Sequence, residues 1–191
     1  MKPLAMSGQR LSITAFLAGM AAVAVVYIGF FKLNEWLFSV AKVSDHIAWV
    51  FLPAAIRMLA VMLLGWAGVA GLYLGSLSQL GALMDTDPVQ AFVIAGISSL
   101  PCLIAARLVR RALRVNHDLV GLTGSQLLIF GLAGGFASSA AHTLYFACTA
   151  GSLGPLAGFM PMWVGDTVGT LIVLYSGALV LHWLLPTRRE V

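Results

Sequence analysis

From Ile47 to Leu80 the chain carries one charged side chain, Arg57. A stretch this apolar does not suit the surface of a soluble domain, and it is too long for a single helical crossing, which takes about 20 residues. It is therefore expected to fold back on itself in lipid. The guanidinium inside it then needs a partner, because a lone arginine at mid-membrane depth costs about 2.5–3.5 kcal/mol on insertion scales. The composition of the whole chain agrees. Of its 191 residues 60% are hydrophobic and 9% charged, which is more apolar surface than one soluble core can hide. The apolar runs are continuous and do not alternate with polar residues, so helices are expected rather than a barrel.

Charge decides the number of crossings. The first run, 13–31, follows Lys2 and Arg10 and is longer than the apolar part of a signal peptide; Phe30, Phe31 and Lys32 also make a poor cleavage site, so it reads as a retained span. Arg107, Arg110, Arg111 and Arg114 form a basic cluster of the kind that stays cytoplasmic. One crossing at 47–80 would place that cluster outside, whereas a hairpin of two short helices broken at Leu64 and Gly65 keeps it inside. The reading is thus an all-α integral membrane protein, one domain over 1–191, with six transmembrane helices in one bundle (13–31, 47–63, 66–82, 89–107, 125–148 and 161–184) and both termini cytoplasmic. Lys2, Arg10, the cluster, Arg188 and Arg189 then lie inside, while Lys32 and Lys42 are the basic residues of the outside loops. Trp36, Trp49 and Trp163 fall near the outer boundary and Trp66 and Trp183 near the inner one, where amphipathic rings prefer to sit. Asp85-Thr86-Asp87-Pro88 reads as a tight outside turn, with Pro88 suited to open the next helix. Gly71 with Gly75, Gly165 with Gly169, and the small residues of 131–141 are expected to let helices approach closely.

With this orientation three ionisable residues, Arg57, His142 and Asp166, share one layer in the outer half of the hydrocarbon, given a rise of about 1.5 Å per residue. Two compatible readings follow. In one, Arg57 and Asp166 form a buried ion pair pinning two helices, and His142 is a hydrogen-bonded core residue. In the other, the three line a pocket open to the outside, with Trp163, Tyr73, Tyr145, Ser138, Ser139 and Thr143 as neighbours. Arginine would there hold a small anionic ligand, because its planar fork suits carboxylate or phosphate, and His142 would make the site pH-sensitive.

No enzyme signature accompanies this layer. The sequence has no phosphate-binding glycine loop, no H-E-x-x-H pair and no nucleophile elbow, so no catalytic residue, cofactor or metal is expected. Cys102 and Cys148 lie in different apolar runs and read as small buried residues. His117 and Asp118 read as a solvated turn, and His182 beside Trp183 as an interfacial anchor. The net charge of +4 sits in a few loops, so it bears on orientation and anionic lipid rather than on nucleic acid.

Several segments taken in order resemble a known family. Phe51-Leu52-Pro53-Ala54-Ala55-Ile56, the run ending Gly65-Trp66, Leu72-Tyr73-Leu74-Gly75-Ser76, the helix ending in Arg107 to Arg111, and Met162-Trp163-Val164-Gly165-Asp166-Thr167-Val168-Gly169 are similar to the MASE1 integral-membrane sensory domain of bacteria. The most specific piece is the Trp-x-Gly-Asp-x-x-Gly motif that opens the last span. The resemblance covers about residues 47–180 and implies a sensory or ligand-binding module of the bacterial inner membrane, in a family found ahead of histidine kinase, diguanylate cyclase and related signalling domains. The chain departs from that pattern in two ways. The family usually has about eight spans and feeds an output domain, whereas this chain reads as six spans ending at Val191; and Arg57 stands where an apolar residue is expected. Signalling would then pass through a separate partner protein. Two other classes stay open, the substrate-binding subunit of a vitamin-type transporter and a purely structural membrane subunit.

Overall fold

The computed structural model describes residues 12–44, 47–115, 123–150 and 158–184. Within them run α1 (Ile13–Phe38), a short hairpin of β1 (Lys42–Ser44) and β2 (Ile47–Ala48), α2 (Pro53–Leu64), α3 (Trp66–Gln79), α4 (Gly81–Thr86), α5 (Pro88–Leu113), α6 (Gly124–Ala150) and α7 (Phe159–Leu184). Lys2, Arg10, His117, Asp118, Arg188 and Arg189, which enter the topological argument, lie outside the described residues, as does the side chain of His182.

Four helices, α1, α5, α6 and α7, are long and apolar enough to cross a membrane. The bilayer also explains what they expose. Along α1 the side chains of Leu17, Val25, Val26 and Leu33 face outward, as do Leu171, Ile172 and Val180 along α7. Water would penalise these apolar stripes, whereas lipid tails accept them. The protein is a multi-pass helical membrane protein.

The central element is α2. It packs against α1, α3, α5, α6 and α7, and of its residues all but Leu59, Leu63 and Leu64 are buried. A helix apolar on every side but for Arg57 is suited to that position. It is shorter than the expected 47–63 span, because residues 47 and 48 pair with β1 and helix begins only at Pro53. Proline fits the first helical turn, where its missing N–H is no loss and its fixed φ already suits the helix.

The chain reverses at Gly65, whose φ of 54° and ψ of −118° suit a residue without Cβ. Beyond it, Gly68 lies directly against the Ala60 carbonyl, so α2 and α3 fold back on each other. The remaining directions follow from neighbouring residues. Gly71 packs on Met20 and Val23 and Gly75 on Ala24 and Tyr27, so α3 runs parallel to α1. Gly131 meets Thr170 and Gly135 meets Asp166, so α6 and α7 are antiparallel. Apart from short α4, successive helices alternate in direction.

The expected tight turn at residues 85–88 is smaller than the sequence suggested. Asp85 and Thr86 belong to α4, with Thr86 Oγ1 donating to the Ala82 carbonyl at 3.2 Å, and only Asp87 breaks the helical path. Its carboxylate accepts from Gln90 N at 3.0 Å and caps α5, opened by Pro88 as anticipated. Of the two cysteines, Cys102 is buried but Cys148 is exposed.

Candidate functional site

Arg57 lies one turn into α2 and is only 4% exposed. Its guanidinium is held from three sides. Nη2 donates to Asp166 Oδ1 of α7 at 2.7 Å, Nη1 donates to Ser138 Oγ of α6 at 2.6 Å, and the Phe51 ring lies 5.0 Å from Cζ on one face. Asp166 is 2% exposed. The two charge-assisted bonds thus tie α2, α6 and α7 together in a largely buried setting.

The segment before α2 makes this arrangement possible in an apolar setting. Residues 49–52 are not helical, yet Phe51 N donates to the Gly165 carbonyl at 3.0 Å and Leu52 N to Asn34 Oδ1 of α1 at 2.8 Å. Irregular backbone at membrane depth is tolerated when protein supplies its partners in this way. Gly165 and Gly169 have no side chain because this segment passes against them; a Cβ on either would overlap the carbonyl of Ala48 or of Phe51.

His142 lies one helical turn beyond Ser138 on α6. Its Nδ1 is 2.9 Å from the Ser138 carbonyl oxygen and its Nε2 is 3.3 Å from Ser98 Oγ of α5. Arg57, His142 and Asp166 all line one cavity of about 530 Å³. Tyr27, Asn34, Ser76 and Ser98 share its wall, with Glu35, Gln79, Ala82 and Thr86 toward α4. Two polar atoms of the ion pair, Arg57 Nε and Asp166 Oδ2, are buried and have no hydrogen-bond partner among the described residues. Such groups cost free energy unless a ligand or water meets them. Also among the described residues, no three His, Cys, Asp or Glu side chains come together as a metal would need.

The other residues expected around the pocket are placed differently. Ser138 grips Arg57 but is not part of the cavity wall, and neither are Trp163, Tyr73, Tyr145 and Thr143. The Trp163 indole N–H donates to the Leu132 carbonyl at 3.2 Å, and its ring stands edge-on to Phe136 at 5.6 Å between centroids. Thr143 and Ser139 are buried, and Tyr73 and Tyr145 are half-buried. Depth along a helix follows from residue count, but the direction a side chain faces depends on helix rotation, which packing sets. Uncharged wall residues such as Tyr27, Asn34, Ser76 and Ser98 escaped the sequence reading for a related reason. Their one signal is polarity inside an apolar run, and serine is common there as a small packing residue.

Neither a curated protein nor a solved structure matches the chain. The MASE1 family model matches residues 23–190, a region that contains α2 with Arg57, α6 with Ser138 and His142, and α7 with Asp166. A match over nearly the whole chain, on a helical membrane fold, shows that this protein belongs to the MASE1 family of membrane-associated sensory domains.

Proposed function

We propose that the chain is a non-catalytic ligand sensor of the bacterial inner membrane, crossing six times with both termini in the cytoplasm and its cavity facing outward. The alternating helix directions support six crossings, although α2 and α3, with 12 and 14 residues, span only about 18 and 21 Å at 1.5 Å per residue. The hydrocarbon is about 30 Å thick. Both short helices are supplemented at one end, α2 by the protein-bonded segment 49–52 and α3 by α4. The arginine cluster at the end of α5 lies opposite the cavity and favours the cytoplasmic side for that end.

The observation that carries the ligand reading is the unmatched donor and acceptor of a neutral pair beside a cavity of about 530 Å³, a size suited to a small molecule. Asp166 already neutralises Arg57, so a plain anion would meet a carboxylate as well as a guanidinium. A head with donor beside acceptor, as in an amide, a urea or an amino-acid zwitterion, meets both Arg57 Nε and Asp166 Oδ2. Such a ligand engages α2 and α7 together, and a separate partner protein reads the change. In detergent, a thermal-shift screen of amides, ureas and amino acids beside simple carboxylates and phosphates is expected to give stabilisation by the first group. It should vanish in Ala82→Trp, which fills the cavity from an exposed position on α4 and leaves the ion pair intact. Stabilisation unchanged by that substitution would put binding elsewhere, and silence across the screen would leave Arg57 and Asp166 as a structural pin.

A further inference from the structure

At the end of the bundle remote from the cavity, three guanidinium groups and a set of apolar side chains line a second concavity of about 550 Å³ between the Gly65 turn and the last turns of α5. The basic residues are Arg107, Arg110 and Arg111, and among the described residues no acidic side chain lines the wall. Two of the three are held in place by neighbours. Arg107 Cζ lies 5.4 Å from the centre of the Trp66 ring, which orients its fork, and Arg110 Nη2 donates to the Met62 carbonyl at the end of α2 at 3.2 Å. Beneath them the wall turns apolar, with Phe16, Leu64 and Leu103.

The depth of this groove matches a lipid headgroup. Helix α5 has 26 residues, about 39 Å at 1.5 Å per residue, against a hydrocarbon thickness of about 30 Å. Its final turns therefore reach the headgroup layer, and Trp66 is a residue type that settles at that boundary. Orientation alone would need only basic residues somewhere in the loop. It does not need guanidiniums fixed on a tryptophan and a helix-end carbonyl above an apolar recess.

We infer that the groove between the Gly65 turn and the end of α5 binds one anionic phospholipid, its phosphate held by Arg107, Arg110 and Arg111 and an acyl chain lying on Phe16 and Leu64. Phosphate oxygens suit the arginine fork, and basic pockets between helices at this level recognise anionic headgroups. The inference is independent of what the first cavity binds.

The test is a titration of the full chain in an uncharged detergent with phosphatidylglycerol, phosphatidylcholine or inorganic phosphate, followed by native mass spectrometry of the one-to-one complex. Phosphatidylglycerol is expected to bind at least ten-fold more tightly than phosphatidylcholine. Arg111→Gln should weaken it roughly five-fold, and Arg107→Gln with Arg111→Gln roughly thirty-fold, at the usual strength of one basic residue near a charged surface. Arg114 is exposed one turn further on and does not line the groove, so Arg114→Gln should change binding less than two-fold. Leu64→Trp keeps every charge and fills the recess; it too should weaken the lipid, which covers the case in which the arginine variants unfold. A loss in Arg114→Gln equal to that in Arg111→Gln would reduce the effect to diffuse attraction and overturn the site. Inorganic phosphate binding as tightly as the lipid would overturn the lipid assignment, as would equal binding of phosphatidylcholine.

Discussion

Arg57 and Asp166 neutralise each other at 2.7 Å with both side chains buried, and the worth of such a pair shows when one half is removed. In Arg57→Ala the Asp166 carboxylate stays buried with its main partner gone; in Asp166→Ala the guanidinium does. Each single variant is expected to lose about 3–5 kcal/mol of stability, the range for breaking a buried pair, seen as a lower melting temperature in detergent. The double variant should lose clearly less than the sum, since no orphaned charge remains; strictly additive losses would show that the contact carries no coupling. These two residues and His142 were legible in the sequence because charge inside an apolar run is rare and costly. Ser138 was legible as a neighbour but not as the second acceptor for Arg57, and neither Asn34 as the cap on Leu52 N nor Ser98 beside His142 was legible. An uncharged polar residue in a membrane helix is cheap enough to occur without a role.

Among the elements, the fold-back at Gly65 was legible and the beginning of α2 was not. A glycine flanked by apolar runs too long for one crossing offers an obvious place to reverse, whereas Pro53 could be read either inside a helix or at its start. The glycine pairs show the same limit. Gly71 and Gly75 do seat another helix, α1, as their spacing suggests. Gly165 and Gly169 have that spacing too, but they receive the non-helical segment 48–52. That difference has a measurable consequence. Gly165→Ala sets a methyl group on the Ala48 carbonyl, in a segment that the Phe51 N to Gly165 O hydrogen bond holds against α7, and is expected to destabilise by about 2 kcal/mol or more, within the usual cost of overpacking. Gly177→Ala, on the same helix with open space around it, should leave the melting temperature within a degree or two. Equal effects of the two substitutions would remove the seam between α7 and this segment as a source of stability.

Across the whole molecule the polar features separate by end, the cavity and α4 at one, the Gly65 turn and the arginines at the other. The proposed six crossings make a direct prediction for single cysteines introduced at Trp66, exposed beside the turn, and at Asp85 into a Cys102→Ala, Cys148→Ala background. A membrane-impermeant thiol reagent applied to intact cells should label position 85, and position 66 only after the membrane is opened; the reverse pattern would invert the bundle and turn the cavity toward the cytoplasm. The sequence by itself determined the solvent, the helical class, the reversal at Gly65 and the layer that holds Arg57, His142 and Asp166. Each of these follows from where charge and continuous apolar runs fall along the chain, and hydration cost and the rise of a helix convert that pattern into depth. Only the tertiary structure decided the rest: that Asp166 and Ser138 share the guanidinium, that short α2 is the central helix, and that Tyr27 and Ser98 reach the cavity while Trp163 and Tyr145 turn away from it. Those depend on how each helix is rotated about its own axis, and rotation is fixed by side chains meeting across helices that lie far apart in the chain.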